Sequence, residues 1–223
     1  MKFESGWYMA STLNINRCYD YTLGDIESLS TKNIRTKRIK RNVVWCLDNG
    51  VFTGKFEKHR WLDFMEKYSL YINTCLFVVI PDVVADFKAT VDSFHYYRKM
   101  VTDYPVAFVS QDGISEFPEM IPWNDFDCIF IGGSDKHKLG YEGGWVISEA
   151  KKHNKWIHVG RVNSVKRMLK FWQADSFDGT HLSFFPSDQH KFHNAILLLR
   201  QMKKQRSLFD GLHYNVFNSN SIG

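Results

Sequence analysis

Short, unbroken apolar runs, each ending in a glycine, an acid or an amide, constrain this chain more than any other feature. The runs are WYMAST (7–12), VVWCL (43–47), CLFVVI (75–80), PVAFVS (105–110), DCIFIG (127–132), KWIHVG (155–160) and ADSF (174–177). Four of them are apolar without interruption over four to six residues, the pattern of strands buried on both faces of a parallel sheet. The intervening stretches read as helices. Residues 58–72 carry Trp61, Leu62, Met65 and Tyr68 at helical spacing, and 87–101 carry Val91, Phe94 and Tyr97. Residues 144–153 form a shorter helix. Residues 164–172 follow Asn163 as a cap, and 187–202 follow Pro186 with Ser187 as a cap. Repeated βα units of this length predict an α/β domain.

An open dinucleotide-type sheet requires a glycine-rich fingerprint after its first strand, and none is present. Polar and glycine residues instead follow many different strands: Asp48-Asn49-Gly50, Pro81-Asp82, Gln111-Asp112-Gly113, Gly132-Gly133-Ser134, Gly160-Arg161 and Asp178-Gly179. In a closed barrel every strand end opens onto one shared pocket. The expected fold is therefore a compact TIM-like (β/α)8 barrel, modified or reduced, since 223 residues fall short of the ~250 typical of such barrels. Seven strands are evident; the eighth must come from HLSFF (181–185) or from 13–30. One catalytic domain over 1–206 is expected, with 207–223 as a C-terminal tail or strap.

Hydrophobic residues make up 44% and aromatic residues 16%, which excludes a disordered chain. The net charge of +5 permits a polyanionic partner without requiring one. Six Lys or Arg and no acid crowd into TKNIRTKRIKR (31–41). This run is either a solvated loop or a phosphate-contacting one, and in the second case Arg35, Lys37, Arg38, Lys40 and Arg41 are the nucleic-acid-binding candidates. The four cysteines, at 18, 46, 75 and 128, lack zinc-knuckle spacing, and the last three sit in apolar runs as buried thiols. No signal-peptide pattern and no run of ~20 apolar residues is present, so a reducing cytoplasm and no membrane are expected.

Asp48 and Asp178 each follow a strand, and Asp82 follows a third. Each is a turn residue or a carboxylate at the pocket mouth. Asp86 and Asp175 are neighbouring alternatives, Asp175 ranking lower because it precedes its strand end. Carboxylates at several strand ends suit chemistry at an anomeric carbon, where one acts as nucleophile and another as acid or base. Gln111, Gly132 and Gly133 offer an amide and exposed backbone to the edge of a flat heterocycle. His158 is a core residue or a pocket residue. Arg161, at a strand end, pairs with a carboxylate or holds a phosphate. His190 and His193 lie three apart, but no third ligand stands at a convincing spacing, so no metal is expected.

Taken together, LDNG (47–50), PDVVAD (81–86), SQDG (110–113), FIGGS (130–134), HVGRVNS (158–164) and ADSFDGT (174–180) resemble the tRNA-guanine transglycosylase superfamily. The chain is most similar to its phage-type branch, the DNA deazaguanine modification protein A family. The motifs occur in the right order and span about 40 to 180. The resemblance implies a modified barrel that exchanges guanine in a nucleic acid for a free 7-deazaguanine base, such as 7-cyano-7-deazaguanine. It implies Asp178 as the nucleophile on C1′ and Asp48 as the general base. Asp82, or Asp86 after it, Gln111, Gly132, Gly133 and Gly160 would contact the base. No cofactor is implied, because one glycosidic bond replaces another. DNA is the implied polymer, in a host cytoplasm if the chain is phage-encoded, where base modification evades restriction; a homodimer is compatible with the family.

The chain departs from the tRNA enzymes in two respects. It has no Cys-x-Cys-x-x-Cys zinc site, and THLSFFPSD (180–188) lacks the arginine pair that reads the anticodon loop. Both departures point to DNA. Three other readings stay open: base exchange in RNA, hydrolysis by the same carboxylates as a nucleosidase or glycosidase, and a non-catalytic nucleic-acid module.

Overall fold

Eight parallel strands run in the order β1-β8-β7-β6-β5-β4-β3-β2 in a computed structural model that describes residues 7–10, 26–29 and 44–219. They are β1 (Trp7–Ala10), β2 (Ile26–Leu29), β3 (Val44–Leu47), β4 (Cys75–Val79), β5 (Val106–Ser110), β6 (Cys128–Ile131), β7 (Trp156–Val159) and β8 (Ser176–Gly179). Strands β3 to β8 curl into a half-barrel. β2 pairs with β3 at one edge and β1 with β8 at the other. The apolar runs behave as their composition requires: every residue of β4 and β5 is buried.

Strand alternation divides the interior into two layers. Trp45, Leu47, Phe108, Ile129, Ile131, Ile157, Val159 and Phe177 pack in one cluster with the apolar stripes of the helices. These helices are α1 (Lys58–Lys67), α2 (Phe87–Arg98), α3 (Asp135–Leu139), α4 (Tyr141–Lys152), α5 (Val165–Lys170), α6 (His181–Phe184) and α7 (Gln189–Ser219). The residues between them in sequence, Cys46, Phe77, Val79, Ala107, Val109, Cys128 and Trp156, form a second cluster on the concave side. A side-chain period of two puts the next residues along each strand, toward its C-terminal end, on that same concave face. Asp48, Gln111, Gly132, Gly160 and Asp178 all fall on this parity. Cys46, Cys75 and Cys128 are buried, as expected.

Several local expectations change. HLSFF does not supply the eighth strand. Asn163 Oδ1 accepts the N–H groups of Thr180 (2.7 Å) and His181 (3.3 Å), which turns the chain out of β8 into the short helix α6. The eighth strand is β2, from the 13–30 region. Asn163, committed to that turn, does not cap α5; Ser164 does, accepting from the Arg167 N–H at 3.2 Å. The helix expected over 58–72 is α-helical only through Lys67 and continues as a 3-10 helix, Ser69–Thr74. Ser187 lies inside a 3-10 turn, Pro186–Asp188, before α7. The backbone of α7 continues to Ser219, so most of the expected tail is helical. Among the described residues no helix is long and apolar enough to cross a membrane.

Candidate active site

The C-terminal ends of β3, β4, β5, β6 and β8, with the loop after β7, surround a cavity of about 380 Å³. Asp48, Asp82 and Asp178 line it, together with Gln111, Gly132, Gly133 and Arg161. Its apolar wall comes from Phe52, Val79, Val84, Val109 and Phe130.

Asp178 ends β8 and is held on both oxygens. Oδ1 accepts the backbone N–H of Arg161 at 2.7 Å, and Oδ2 lies 3.2 Å from Nε2 of His158. That N–H points inward because Arg161 adopts a left-handed backbone (φ 59°), a conformation that costs a residue with a side chain roughly 1 kcal/mol. The turn is held open by its neighbours. The Arg161 guanidinium donates to the Gly133 carbonyl and sits 4.0 Å over the Phe52 ring, while the buried Lys138 ammonium donates to the Gly160 carbonyl at 3.1 Å. Burial and the nearby Arg161 push Lys138 down to about 8. Gly160 is required at this place, because a Cβ would lie 2.6 Å from the Phe130 ring.

Asp48 ends β3. Burial, followed by repulsion from Asp178, pushes its carboxyl up to about 6, against hydrogen bonds from the Gly50 and Asn49 backbone that favour the charge. Asp82 is also raised, chiefly by burial. Both its oxygens take amide donors: Asn49 Nδ2 at 2.9 Å on Oδ1 and Gln111 Nε2 at 2.6 Å on Oδ2. Asn49 also donates to the Ile80 carbonyl and accepts from the Val51 N–H. Gln111 accepts from the Ala85 N–H at 2.9 Å, which fixes its amide so that the N–H side faces Asp82. A Cβ on Gly132 would lie 2.6 Å from Val109, so the cavity floor there is bare backbone.

A third cluster stands behind this floor. His137 lies between Ser110 (Nε2 to Oγ, 3.2 Å) and Glu142 (Nδ1 to Oε2, 2.9 Å), and Glu142 also accepts from the Ser115 hydroxyl at 2.8 Å. Burial acts to raise Glu142, but the hydrogen bonds from His137 and Ser115 outweigh it and hold the carboxyl below its usual range. The order Ser-His-Glu is that of a nucleophilic triad, yet Ser110 has 0% exposure and lies outside the cavity lining. Its consequence is mechanical: it ties the end of β5 and the turn at Ser115 to α3 and α4.

The structure therefore gathers seven of the expected residues around one cavity: Asp48, Asp82, Gln111, Gly132, Gly133, Arg161 and Asp178. Gly160 and His158 lie just beneath its surface. Asp86 stands apart: it is exposed and caps α2, accepting from the Ala89 N–H at 3.0 Å. Asp86→Ala should lower stability by about 1 kcal/mol, read as a shift of the urea midpoint, and leave any activity of the cavity unchanged. Asp175 is structural as well, bonding the Ile157 N–H and Lys203. Arg35, Lys37, Arg38, Lys40 and Arg41 lie outside the described residues. Among the described residues no group of three or more His, Cys, Asp or Glu is placed to hold a metal ion.

Sequence reasoning missed Asn49, Phe52 and Lys138. Asn49 belongs to a visible turn signal, but its side chain is a cross-link between two strand ends. Phe52 is an aromatic residue left 60% exposed at the cavity mouth, and only exposure distinguishes it from core phenylalanines. Nothing in the local sequence marks Lys138 as a buried cation.

Comparison with protein-family models and with curated proteins finds no match for the chain.

Proposed function

We propose that the protein is a base-exchanging transglycosylase that replaces guanine in DNA with a free 7-deazaguanine by two displacements at C1′. One observation carries this reading. Three carboxyl groups from three strand ends converge on one cavity in three different environments: Asp178 held between the Arg161 N–H and the His158 imidazole, Asp48 raised to about 6 and Asp82 clamped between two amides. Different environments for like groups are what a division of chemical labour requires.

In this mechanism an Asp178 oxygen attacks C1′ as the bond to guanine N9 breaks, giving a covalent deoxyribosyl ester. The departing guanine takes a proton from Asp48 in its acid form. An incoming 7-deazaguanine then binds, Asp48 takes the proton from its ring nitrogen, and that nitrogen displaces Asp178 from C1′. A carboxyl near 6 is suited to both directions close to neutral pH. Two inversions retain the β configuration. Guanine and a 7-deazaguanine share the same pyrimidine edge, whose N–H groups a carboxylate accepts; Asp82, held by Asn49 and Gln111, suits that edge. Exposed Phe52 supplies a flat face for stacking. The cavity is of the size that holds a base and its sugar, so the target nucleotide must be flipped out of a duplex or offered single-stranded.

The accompanying fold reading is a reduced (β/α)8 barrel without a zinc subdomain. The strand order, and the approach of β1 to β2 at the free edges, support it. DNA is favoured over tRNA by the absent zinc ligands and by the absent arginine pair after Asp178.

The test is incorporation of labelled 7-cyano-7-deazaguanine, and of labelled guanine, into duplex DNA, single-stranded DNA and tRNA. Label should enter DNA. Entry into tRNA alone overturns the polymer assignment. Release of guanine leaving abasic sites, with no incorporation, makes the protein a hydrolase.

A further inference from the structure

Three buried side chains line up behind Asp178, and the mechanism above does not use them. Trp156 Nε1 donates to Ser176 Oγ at 2.8 Å, Ser176 Oγ lies 2.8 Å from His158 Nδ1, and His158 Nε2 lies 3.2 Å from Asp178 Oδ2. His158 and Ser176 have 0% exposure. All four residues occupy the concave face of two adjacent strands, with His158 and Ser176 directly opposite each other in the β7–β8 register. Phe130 and Phe77, with ring centroids 4.6 and 5.2 Å from the imidazole, hold its plane.

We infer that Trp156, Ser176 and His158 form a one-way donor chain that fixes the tautomer of His158 and thereby the orientation of Asp178, which makes His158 a positioning residue and not a base contact. An indole N–H can only donate, so Ser176 Oγ is an acceptor toward Trp156. The single hydroxyl hydrogen of Ser176 is then directed at His158 Nδ1, which must be unprotonated to accept it. The ring proton therefore sits on Nε2 and points at Asp178. The opposite tautomer sets a lone pair of Nε2 against a carboxylate oxygen and leaves the Ser176 hydroxyl hydrogen without an acceptor in a buried site.

The chain also explains what is absent from Asp178. Its two oxygens are held by a backbone N–H and an imidazole N–H. Among the described residues, the guanidinium at the site, that of Arg161, turns instead to the Gly133 carbonyl and to Phe52. Two neutral donors fix the rotation of the carboxylate without neutralising the charge with which it attacks.

The inference rests on Asp178 as the nucleophile, and its test has one part independent of that reading. Long-range ¹⁵N–¹H correlation on histidine-labelled wild-type protein, with His158 assigned by its loss in His158→Gln, should show a protonated Nε2 and a bare Nδ1. In Ser176→Ala the signal should move toward a mixture of tautomers, and Ser176→Thr should restore it. A wild-type ring protonated on Nδ1, or on both nitrogens, overturns the chain whether or not exchange occurs.

The kinetic part follows formation of the protein–DNA adduct in single turnover. Ser176→Ala should slow it about 10-fold, the effect of one hydrogen bond, with KM for 7-cyano-7-deazaguanine unchanged and with rescue by Ser176→Thr. His158→Leu should slow it about 100-fold, the scale of a misplaced reacting group, and His158→Gln, which keeps an N–H toward Asp178, less. A Ser176→Ala protein with wild-type adduct kinetics, or a rise in KM for the base as its main effect, overturns the positioning role. If the wild type forms no adduct at all, the nucleophile assignment fails, and the tautomer measurement still decides the chain.

Discussion

Asp178→Asn is expected to reduce base exchange by about 10⁴-fold or more and to abolish any covalent protein–DNA adduct on denaturing gels. The change is isosteric. The new amide oxygen can still accept the Arg161 N–H, so the turn after β7 keeps its bond. What is lost is the oxygen able to form the ester with C1′. Because His158 also directs a donor at this position, the amide nitrogen meets an N–H and not a lone pair, and a modest loss of stability accompanies the loss of activity. Full exchange activity in this variant would sink the proposed nucleophile.

Asp48→Asn should separate the two halves of the reaction. Complete turnover is expected to fall about 10²- to 10⁴-fold, because the proton relay between the two bases is gone. The adduct should still form, more slowly, because Asp178 is intact, and should then accumulate. The same variant should be more stable than the wild type at neutral pH. The Asp48 carboxyl is raised from 3.8 to about 6 in the folded protein. Between those values the folded chain holds a proton that the unfolded chain has released, so wild-type stability falls as pH rises through this window. Above about 6 the penalty is complete. Two pKa units at ~1.4 kcal/mol each set a ceiling near 3 kcal/mol, so a gain of about 1–3 kcal/mol is expected at pH 7, vanishing below pH 4. Urea unfolding at pH 4 and pH 7 measures it. Equal destabilisation of the variant at both values would show that Asp48 is held as a turn residue and not as a strained acid. In the wild type, the exchange rate should pass through a maximum near pH 6, because guanine departure needs Asp48 protonated and attack by the incoming base needs it charged.

Much of the arrangement was legible because it depends on local pattern. Unbroken apolar runs rich in β-branched and aromatic residues, such as CLFVVI and PVAFVS, suit strands buried on both faces, and β4 and β5 are so buried. Acids and glycines placed just after such runs sit at strand ends in any parallel sheet, so Asp48, Asp82 and Asp178 could be nominated without coordinates. The eighth strand was legible only as one of two alternatives, HLSFF or the 13–30 region, because four residues, Ile26–Leu29, are too short to show a period. HLSFF stayed open as the alternative because an apolar run of that length is equally compatible with a strand and a short helix, and the distant Asn163 decides the matter by accepting the N–H groups at its start.

The split between Asp82 and Asp86 illustrates the rest. Both follow the same strand, and their composition is identical. Asp86 is consumed by an N-terminal helix cap, while Asp82 is clamped by Asn49 and Gln111 from two other strands. His158 likewise had two readings, and only the pairing of β7 with β8 sets it between Ser176 and Asp178. The sequence by itself determined the strand–helix alternation, the parity that turns strand-end residues to one face, and which carboxyls could be used. Tertiary structure alone decided which of them meet, what holds each one and how far burial shifts its proton, because strand pairing brings together residues 20 to 130 positions apart and desolvation acts only once they are enclosed.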